Sequence, residues 1–185
     1  MTRPLRIEYP GAYYHVMNRG LSHGKVFVRD RDREQFFTLV GELSRLWGLK
    51  VHAYFLMETH YHLLLQTPIG ELSRATRHLD GIYTLKFNRF HGRDGPLFRG
   101  RYKAILIDAA EYFLAVARYI HHNPVDAGIV RDISQYRWSS HRVMTWKAFI
   151  SGCLCIRLNT TYLANLKGRF PASSKISAFR PSDRV

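Results

Sequence analysis

Two histidines separated by one residue are the first feature of this sequence that can do chemistry. His60 and His62 lie in a run from His60 to Gln66 that is typical of a β-strand. Because side chains alternate between the faces of a strand, both imidazoles leave one face and Tyr61 leaves the other. Two imidazoles on one face can share a metal ion, although this spacing by itself is more common for ordinary polar positions near a turn.

A tyrosine and an asparagine form a second pair. Tyr119 and Asn123 are four residues apart in a predicted helix that begins after residue 108, so they are neighbours on one face of it. Spacing alone favours a half-buried tyrosine whose hydroxyl has a partner. Tyr119 is nevertheless not needed for the core, since a separate apolar stripe can pack on a sheet: Phe113, Val116 and Ile120.

Cations and aromatic residues are interleaved between residues 86 and 103. The cations are Lys86, Arg89, Arg93, Arg99, Arg101 and Lys103, and the aromatics are Phe87, Phe90, Phe98 and Tyr102. Cations that neutralise phosphates, beside aromatic faces that stack on unpaired bases, are typical of single-strand binding. The alternative is a solvated charged loop, but the charge of the whole chain favours nucleic acid.

Composition sets the class of protein. The chain has 185 residues, a formal net charge of +14 and a sequence pI near 10.2, which indicates one domain with a polyanionic partner. No apolar run is long enough to span a membrane, and Cys153 and Cys155 are too close in sequence for a disulfide scaffold, so we expect a cytoplasmic protein. We expect a domain over residues 1–145 and a basic, weakly ordered tail over 146–185.

The order of predicted elements defines a fold class. Strand, helix, strand, strand, helix, strand and helix are expected over residues 13–17, 30–47, 50–57, 60–66, 71–90, 101–107 and 108–123. Asp30 or Asp32 is expected to cap the first helix, and Pro124 to stop the last. The first six elements match the βαββαβ order of a ferredoxin-like α+β domain, and the added C-terminal helix carries Tyr119. The other histidines have no partner at a useful spacing and are expected to be structural or surface residues: His15, His52, His91, His121 and His122.

Several segments, taken together, resemble a known family. They are YYHVMNRG (13–20), HAYFLMETHYHLLLQTP (52–68), GPLFRGRYKAILID (95–108), RYIHHNPVDAGIV (118–130) and WSSH (138–141). In this order they resemble the single-tyrosine transposases of the HUH superfamily, and within it the REP-associated tyrosine transposases and their insertion-sequence relatives. The resemblance covers roughly residues 5–145.

The resemblance implies a ferredoxin-like core and a specific chemistry. His60 and His62 match the histidines that bind a divalent metal, Tyr119 matches the nucleophile, and Asn123 stands where the family has a third ligand. The implied enzyme cleaves single-stranded DNA, often near hairpins, and rejoins it elsewhere through a 5′-phosphotyrosine. The implied metal is Mg²⁺ or Mn²⁺, and the protein is expected to be a monomer or a homodimer.

Two other functions compete with this interpretation. A non-catalytic nucleic-acid-binding protein can use the same fold, although the chain lacks the aromatic signature of the RNA-binding module of that shape. A zinc hydrolase requires a further His or carboxylate ligand and a water-activating base, for which the sequence offers no position.

Overall fold

An antiparallel sheet is the centre of the computed structural model, which describes residues 7–108 and 110–141. Within these residues the strands are β1 (Ala12–Arg19), β2 (Lys50–Met57), β3 (His60–Thr67) and β4 (Lys103–Ile107), in the order β2-β3-β1-β4. Each strand is antiparallel to its neighbours. This is the ferredoxin-like arrangement, and the predicted α+β class is confirmed.

Two helices cover one face of this sheet and a third covers the other. Helices α1 (Asp30–Trp47) and α2 (Leu72–His91) pack on the face that receives Tyr14, Tyr61 and the larger apolar core. Helix α3 (Ala110–Asp126) packs on the opposite face against a smaller apolar cluster from β2, β3 and β4. The period-2 alternation of each strand divides its side chains between these two layers.

The start of α1 differs in detail from the expectation. Arg29 is the N-cap residue, and Asp32 occupies the third helical position. The Asp32 carboxylate accepts the backbone N–H groups of Val28 and Arg29, each at 2.8 Å. Asp32 therefore satisfies amides at the helix start, although it does so from inside the first turn.

The predicted stop at Pro124 is wrong, because α3 continues to Asp126. Proline lacks an N–H, so at this position it removes one bond to the carbonyl of Ile120. Helical bonding resumes after it, since the Ala127 N–H donates to the Asn123 carbonyl at 2.9 Å. A proline in the last turn costs too little to end the helix earlier.

A short segment at residues 138–140, called the edge segment below, fastens α3 to the outer side of β2. The N–H of Leu56 donates to the carbonyl of Trp138, and the N–H of Ser140 donates to the carbonyl of Tyr54, each at 3.0 Å. The Ser140 hydroxyl accepts the Tyr54 N–H at 2.9 Å and lies 2.7 Å from Nε2 of His121 on α3. One serine thus joins the edge strand to the helix.

The predicted boundary at residue 145 and the basic tail over 146–185 lie outside the described residues, as do both cysteines. Among the residues that are described, no helix is both long and apolar enough to cross a membrane.

Candidate active site

The two histidines of β3 lie together on the face covered by α3. The ring centroids of His60 and His62 are 5.1 Å apart. Tyr61 leaves the opposite face, where its hydroxyl donates to Asp80 at 2.7 Å. The alternation predicted from the sequence therefore holds, and it leaves His62 buried and His60 half-buried.

Helix α3 brings Tyr119 to this histidine pair. The ring centroid of Tyr119 is 5.9 Å from that of His62, and the rings are nearly perpendicular. The apolar stripe predicted for α3 holds the helix in place: Phe113, Val116 and Ile120 are all buried in the cluster under it. Tyr119 and Asn123 are half-buried, one turn apart along the same helix.

His15, which was expected to be a structural or surface residue without a partner, belongs to this site. It lies on β1, buried, with Nε2 at 2.9 Å from Nδ1 of His62. The two rings lie edge to edge, with centroids 5.1 Å apart and planes inclined by 27°. The register pairs His15 with Leu64, so His62 is its diagonal neighbour on the same face. Only the pairing of β1 with β3 reveals this contact, because the two residues are 47 positions apart.

Burial keeps these imidazoles neutral. It lowers the pKa of His15 from 6.5 to about 4. Burial is also the main reason that the pKa of His62 is well below its usual range, and the neighbouring His15 and His60 lower it further. Neutral imidazole is the form that ligates a metal, so the site is electrostatically ready for a cation at neutral pH.

The separation of the two rings is compatible with a metal held by His60 and His62. Nδ1 of His60 lies 3.0 Å from the Thr59 hydroxyl and Nδ1 of His62 lies against His15, so Nε2 is the ligating atom that each ring would use. With metal–nitrogen bonds of about 2.1 Å, two imidazoles that share one ion have centroids about 4.5–5.3 Å apart. The separation of 5.1 Å is within that range.

Further ligands must come from other residue types. Within residues 7–108 and 110–141, no group of three or more His, Cys, Asp or Glu side chains can hold a metal ion. The amide of Asn123, an oxygen donor, is the side chain on α3 that the sequence offers as a third ligand.

The cations of residues 86–103, called the basic segment below, are distributed over one end of the molecule. Arg89, Arg93, Arg99, Arg101 and Lys103 are exposed, and Lys86 is half-buried. The Arg99 N–H donates to the carbonyl of Arg19, whose partner on β3 is His60. Lys103 pairs with Met17, whose partner on β3 is His62. The cations that follow α2 therefore lie at the end of the sheet where His60 lies. The cations on α2 are in the second half of the helix, which runs back toward the same end.

The expectation that the interleaved aromatics stack on bases is wrong for three of them. Phe87, Phe98 and Tyr102 are at most 7% exposed and belong to the core under α1 and α2. Phe90 is exposed, with the guanidinium of Arg31 4.3 Å from its ring centroid. The segment therefore presents its cations to solvent and keeps most of its aromatic rings inside.

Comparison with known families gives the site a context. The family model described as IS200-like transposase matches residues 8–123, which is more than half of the chain. The matched region includes both histidines of β3, His15, Tyr119 and Asn123. The chain belongs to the IS200-like transposase family.

Two solved structures are similar to this chain. One is a REP-associated tyrosine transposase bound to a REP hairpin, with 15% identity, a TM-score of 0.69, and an alignment that covers 100% of this chain and 99% of the other. At that identity the likeness shows the fold. The other is a candidate transposase from Deinococcus radiodurans, with 18% identity, a TM-score of 0.45, and coverage of 64% of this chain and 95% of that one. No curated protein sequence matches this chain.

Proposed function

We propose that this protein is a metal-dependent DNA transposase that cleaves and rejoins single-stranded DNA, with Tyr119 as the nucleophile. The observation that carries the proposal is the position of the Tyr119 ring, 5.9 Å from His62 on the face that bears both β3 histidines. Membership in a transposase family supports DNA transposition as the process.

His60, His62 and Asn123 are the proposed ligands of a divalent cation, Mg²⁺ or Mn²⁺. Such a cation would draw charge from a scissile phosphate and favour attack on it. The protein contributes neutral imidazoles from a rigid strand and an amide from the helix that carries the nucleophile. Phosphoryl transfer favours the hard cations over zinc, although imidazole ligands suit several metals.

Tyr119 exchanges one phosphodiester for another. Its phenol oxygen forms a bond to phosphorus as the bond from phosphorus to the 3′ oxygen breaks, so the 5′ end becomes linked to the protein. The phenol loses its proton and the departing 3′ oxygen gains one. Because the bonds broken and formed are of one kind, a second 3′ hydroxyl can reverse the step without an external energy source, which joins two strands.

The partner in this proposal is a DNA single strand beside a hairpin. The cations at the His60 end of the molecule contact its phosphates: Lys86, Arg89, Arg93, Arg99, Arg101 and Lys103. The solved transposase of similar fold was bound to a REP hairpin, which supports a hairpin-flanked substrate. The proposal places the reaction in the cytoplasm, by a monomer or a homodimer.

A covalent-adduct assay tests the proposal. The protein is incubated with labelled single-stranded oligonucleotides that carry hairpins and with Mn²⁺, and denaturing gels are scanned for a protein–DNA band. We expect an adduct from the wild type, none from Tyr119→Phe, and near-normal DNA affinity for both.

Tyr112→Phe is the matched control, because Tyr112 lies on the same helix two turns earlier and packs on the cluster under α3. It should form the adduct normally. An adduct that maps to another tyrosine would contradict the proposed nucleophile. Tight DNA binding without any adduct would instead indicate a non-catalytic binding protein.

A further inference from the structure

The ring contacts around His62 include one that the proposed chemistry does not use. His15 comes from β1, the strand between β3 and β4, so its side chain is enclosed by the sheet below and α3 above. It is 3% exposed, and its ring centroid lies 6.0 Å from that of Tyr119. Burying a polar ring in such a place costs free energy, which hydrogen-bond partners for its nitrogens offset.

We infer that His15 is a positioning residue that accepts a hydrogen bond from Nδ1–H of His62 and thereby directs Nε2 of His62 toward the metal. The inference rests on the proposed function, because it assigns a role to His15 only through the metal ligand. The carrying observation is the 2.9 Å separation of Nε2 of His15 and Nδ1 of His62, on buried rings that lie edge to edge with planes inclined by 27°.

The tautomer of His62 decides whether it can ligate. A neutral imidazole carries its proton on one nitrogen, and only the other has the lone pair that a metal needs. If Nε2 of His15 is the acceptor, the proton of His62 is held on Nδ1 and the lone pair is on Nε2. Partners of this kind typically contribute 10–100-fold to metal affinity when they fix the ring and its tautomer.

Nδ1 of His60, the other proposed ligand, also has a partner, and that partner is a hydroxyl instead of an imidazole. The Thr59 hydroxyl is 3.0 Å from Nδ1 of His60 and can hold that ring from the turn before β3. The two proposed ligands thus have partners at the same ring position, one from a neighbouring residue and one from a different strand. Of these two contacts, only the one from His15 depends on the pairing of β1 with β3.

His52 provides a control at a matched position. It lies on the α3 side of the sheet, is 8% exposed, and contacts Tyr13 and Phe113 by its ring. Its Nε2 is buried without a hydrogen-bond partner. A substitution at His52 therefore disturbs the packing of a buried histidine without touching the proposed ligands.

The experiment measures Mn²⁺ affinity without DNA, by titration of the free ion in electron paramagnetic resonance, for His15→Leu, His15→Gln, His52→Leu and His62→Ala. We expect His15→Leu to weaken Mn²⁺ binding at least tenfold, because leucine fills the volume and cannot accept. His15→Gln should stay within about threefold of the wild type, since its amide oxygen reaches the position of Nε2. His52→Leu should change the affinity by less than twofold.

Nitrogen-15 spectra of the imidazole rings give a second readout that packing alone would not move. In the metal-free wild type and in His15→Gln, the His62 proton should be on Nδ1, and in His15→Leu its resonances should shift toward the other tautomer. If His15→Leu fails to fold, His15→Asn replaces it, because its shorter amide does not reach His62.

The outcomes separate the two proposals. Weak Mn²⁺ binding by His62→Ala with wild-type binding by His15→Leu or His15→Asn overturns the role of His15 and leaves the metal site intact. Equal losses in His15→Gln and His15→Leu also overturn it, since packing would then explain the effect. Unchanged binding by His62→Ala overturns the proposed metal site, and the role of His15 with it.

Discussion

At the scale of single residues, the imidazole of His62 is surrounded by rings from the sheet and from α3. Besides His15 and Tyr119, its ring faces Phe55 of β2, with centroids 6.4 Å apart and planes inclined by 22°. Contacts from three strands and a helix leave one imidazole few ways to rotate. Such enclosure is how a side chain on a strand acquires the precision that a catalytic centre requires.

The first prediction concerns the proposed ligands. His60→Ala and His62→Ala should each reduce adduct formation with single-stranded DNA by at least a hundredfold, because one imidazole cannot hold the ion in place of two. Circular dichroism should show folded protein in both cases. His78→Ala, at a half-buried position on α2 beside Trp47 of α1, is the matched control and should retain activity. Full activity in both β3 variants would contradict the assignment of the metal site.

The second prediction concerns pH and His52. Burial lowers its pKa in the folded protein from 6.5 to about 4. Between these values the unfolded chain takes up a proton that the folded chain does not, so stability is present above pH 6.5 and is lost as the pH falls toward 4. His52→Phe removes this titration. Its free energy of unfolding, measured in urea, should gain about 1–2 kcal/mol relative to the wild type between pH 7 and pH 5.

A neighbouring substitution controls for packing. Phe113→Leu alters the contact with the His52 ring and introduces no ionisable group, so its cost should be the same at both pH values. A His52→Phe difference that does not depend on pH would show that His52 titrates alike in the folded and unfolded chains.

At the scale of elements, α3 and the edge segment depend on each other. Ser140 bonds to Tyr54 on β2 and to His121 on α3, and all three are buried. Its loss leaves the Tyr54 N–H and an imidazole nitrogen without this partner. We expect Ser140→Ala to lower the free energy of unfolding by about 1–3 kcal/mol and to slow adduct formation, since α3 carries the proposed nucleophile. Ser44→Ala, on α1 outside these contacts, should change stability by about 0.5 kcal/mol or less.

The pattern of elements was predictable from the sequence, and the contacts between them were not. Alternation placed His60 and His62 on one face, and helical spacing set Tyr119 apart from the apolar stripe of α3. His15 could not be found in this way, because its relation to His62 depends on the pairing of strands far apart in the chain. For Phe87 the sequence supports two roles, base stacking and the apolar side of α2, and the structure confirms the second: Phe87 continues a series of buried residues at Leu72, Ala75, Leu79 and Tyr83.

Two predictions made from residue type are wrong, for opposite physical reasons. The apolar residues of α2 at helical spacing predict an apolar side made of Leu72, Ala75, Leu79, Ile82, Leu85 and Phe87. Leu85 is nevertheless 68% exposed, because a helix buries only the stripe that faces the sheet. Pro124 was expected to break α3, but a helix end has few bonds left to lose. Residue type shows which side chains are apolar and which residues restrict the backbone. The position of the residue in its helix decides how much that property changes the stability of the helix.

At the scale of the whole molecule, the net charge of +14 predicts how DNA binding responds to salt. The logarithm of affinity for single strands should fall with the logarithm of salt concentration, with a slope of about −0.7 for each phosphate neutralised. Replacing Arg99, Arg101 and Lys103 together by Gln should make the slope less steep by about 2. A flat response in the wild type would mean that these cations do not contact phosphate.

The control for this prediction lies at the other end of the sheet. Lys50 is exposed and pairs with Gln66 at the start of β2, away from His60. Lys50→Gln should leave the salt slope unchanged, although it removes one positive charge. If Lys50→Gln made the slope less steep by about 0.7, the same amount per charge as the triple variant, the charge of the whole surface rather than the His60 end would attract DNA.

The two faces of the sheet have a consequence for engineering the protein. Along β1 the odd positions, including His15, face α3, and the even positions, including Tyr14, face α1 and α2. Along β3 the parity is reversed, with His62 facing α3 and Leu63 facing the larger core. A combinatorial library restricted to odd-numbered positions of β1 and even-numbered positions of β3 would therefore vary the face under α3, which holds the proposed reaction centre, and leave the larger core as it is. Selection from such a library would report on the proposed chemistry and on the seating of α3, while the larger core stays common to every member.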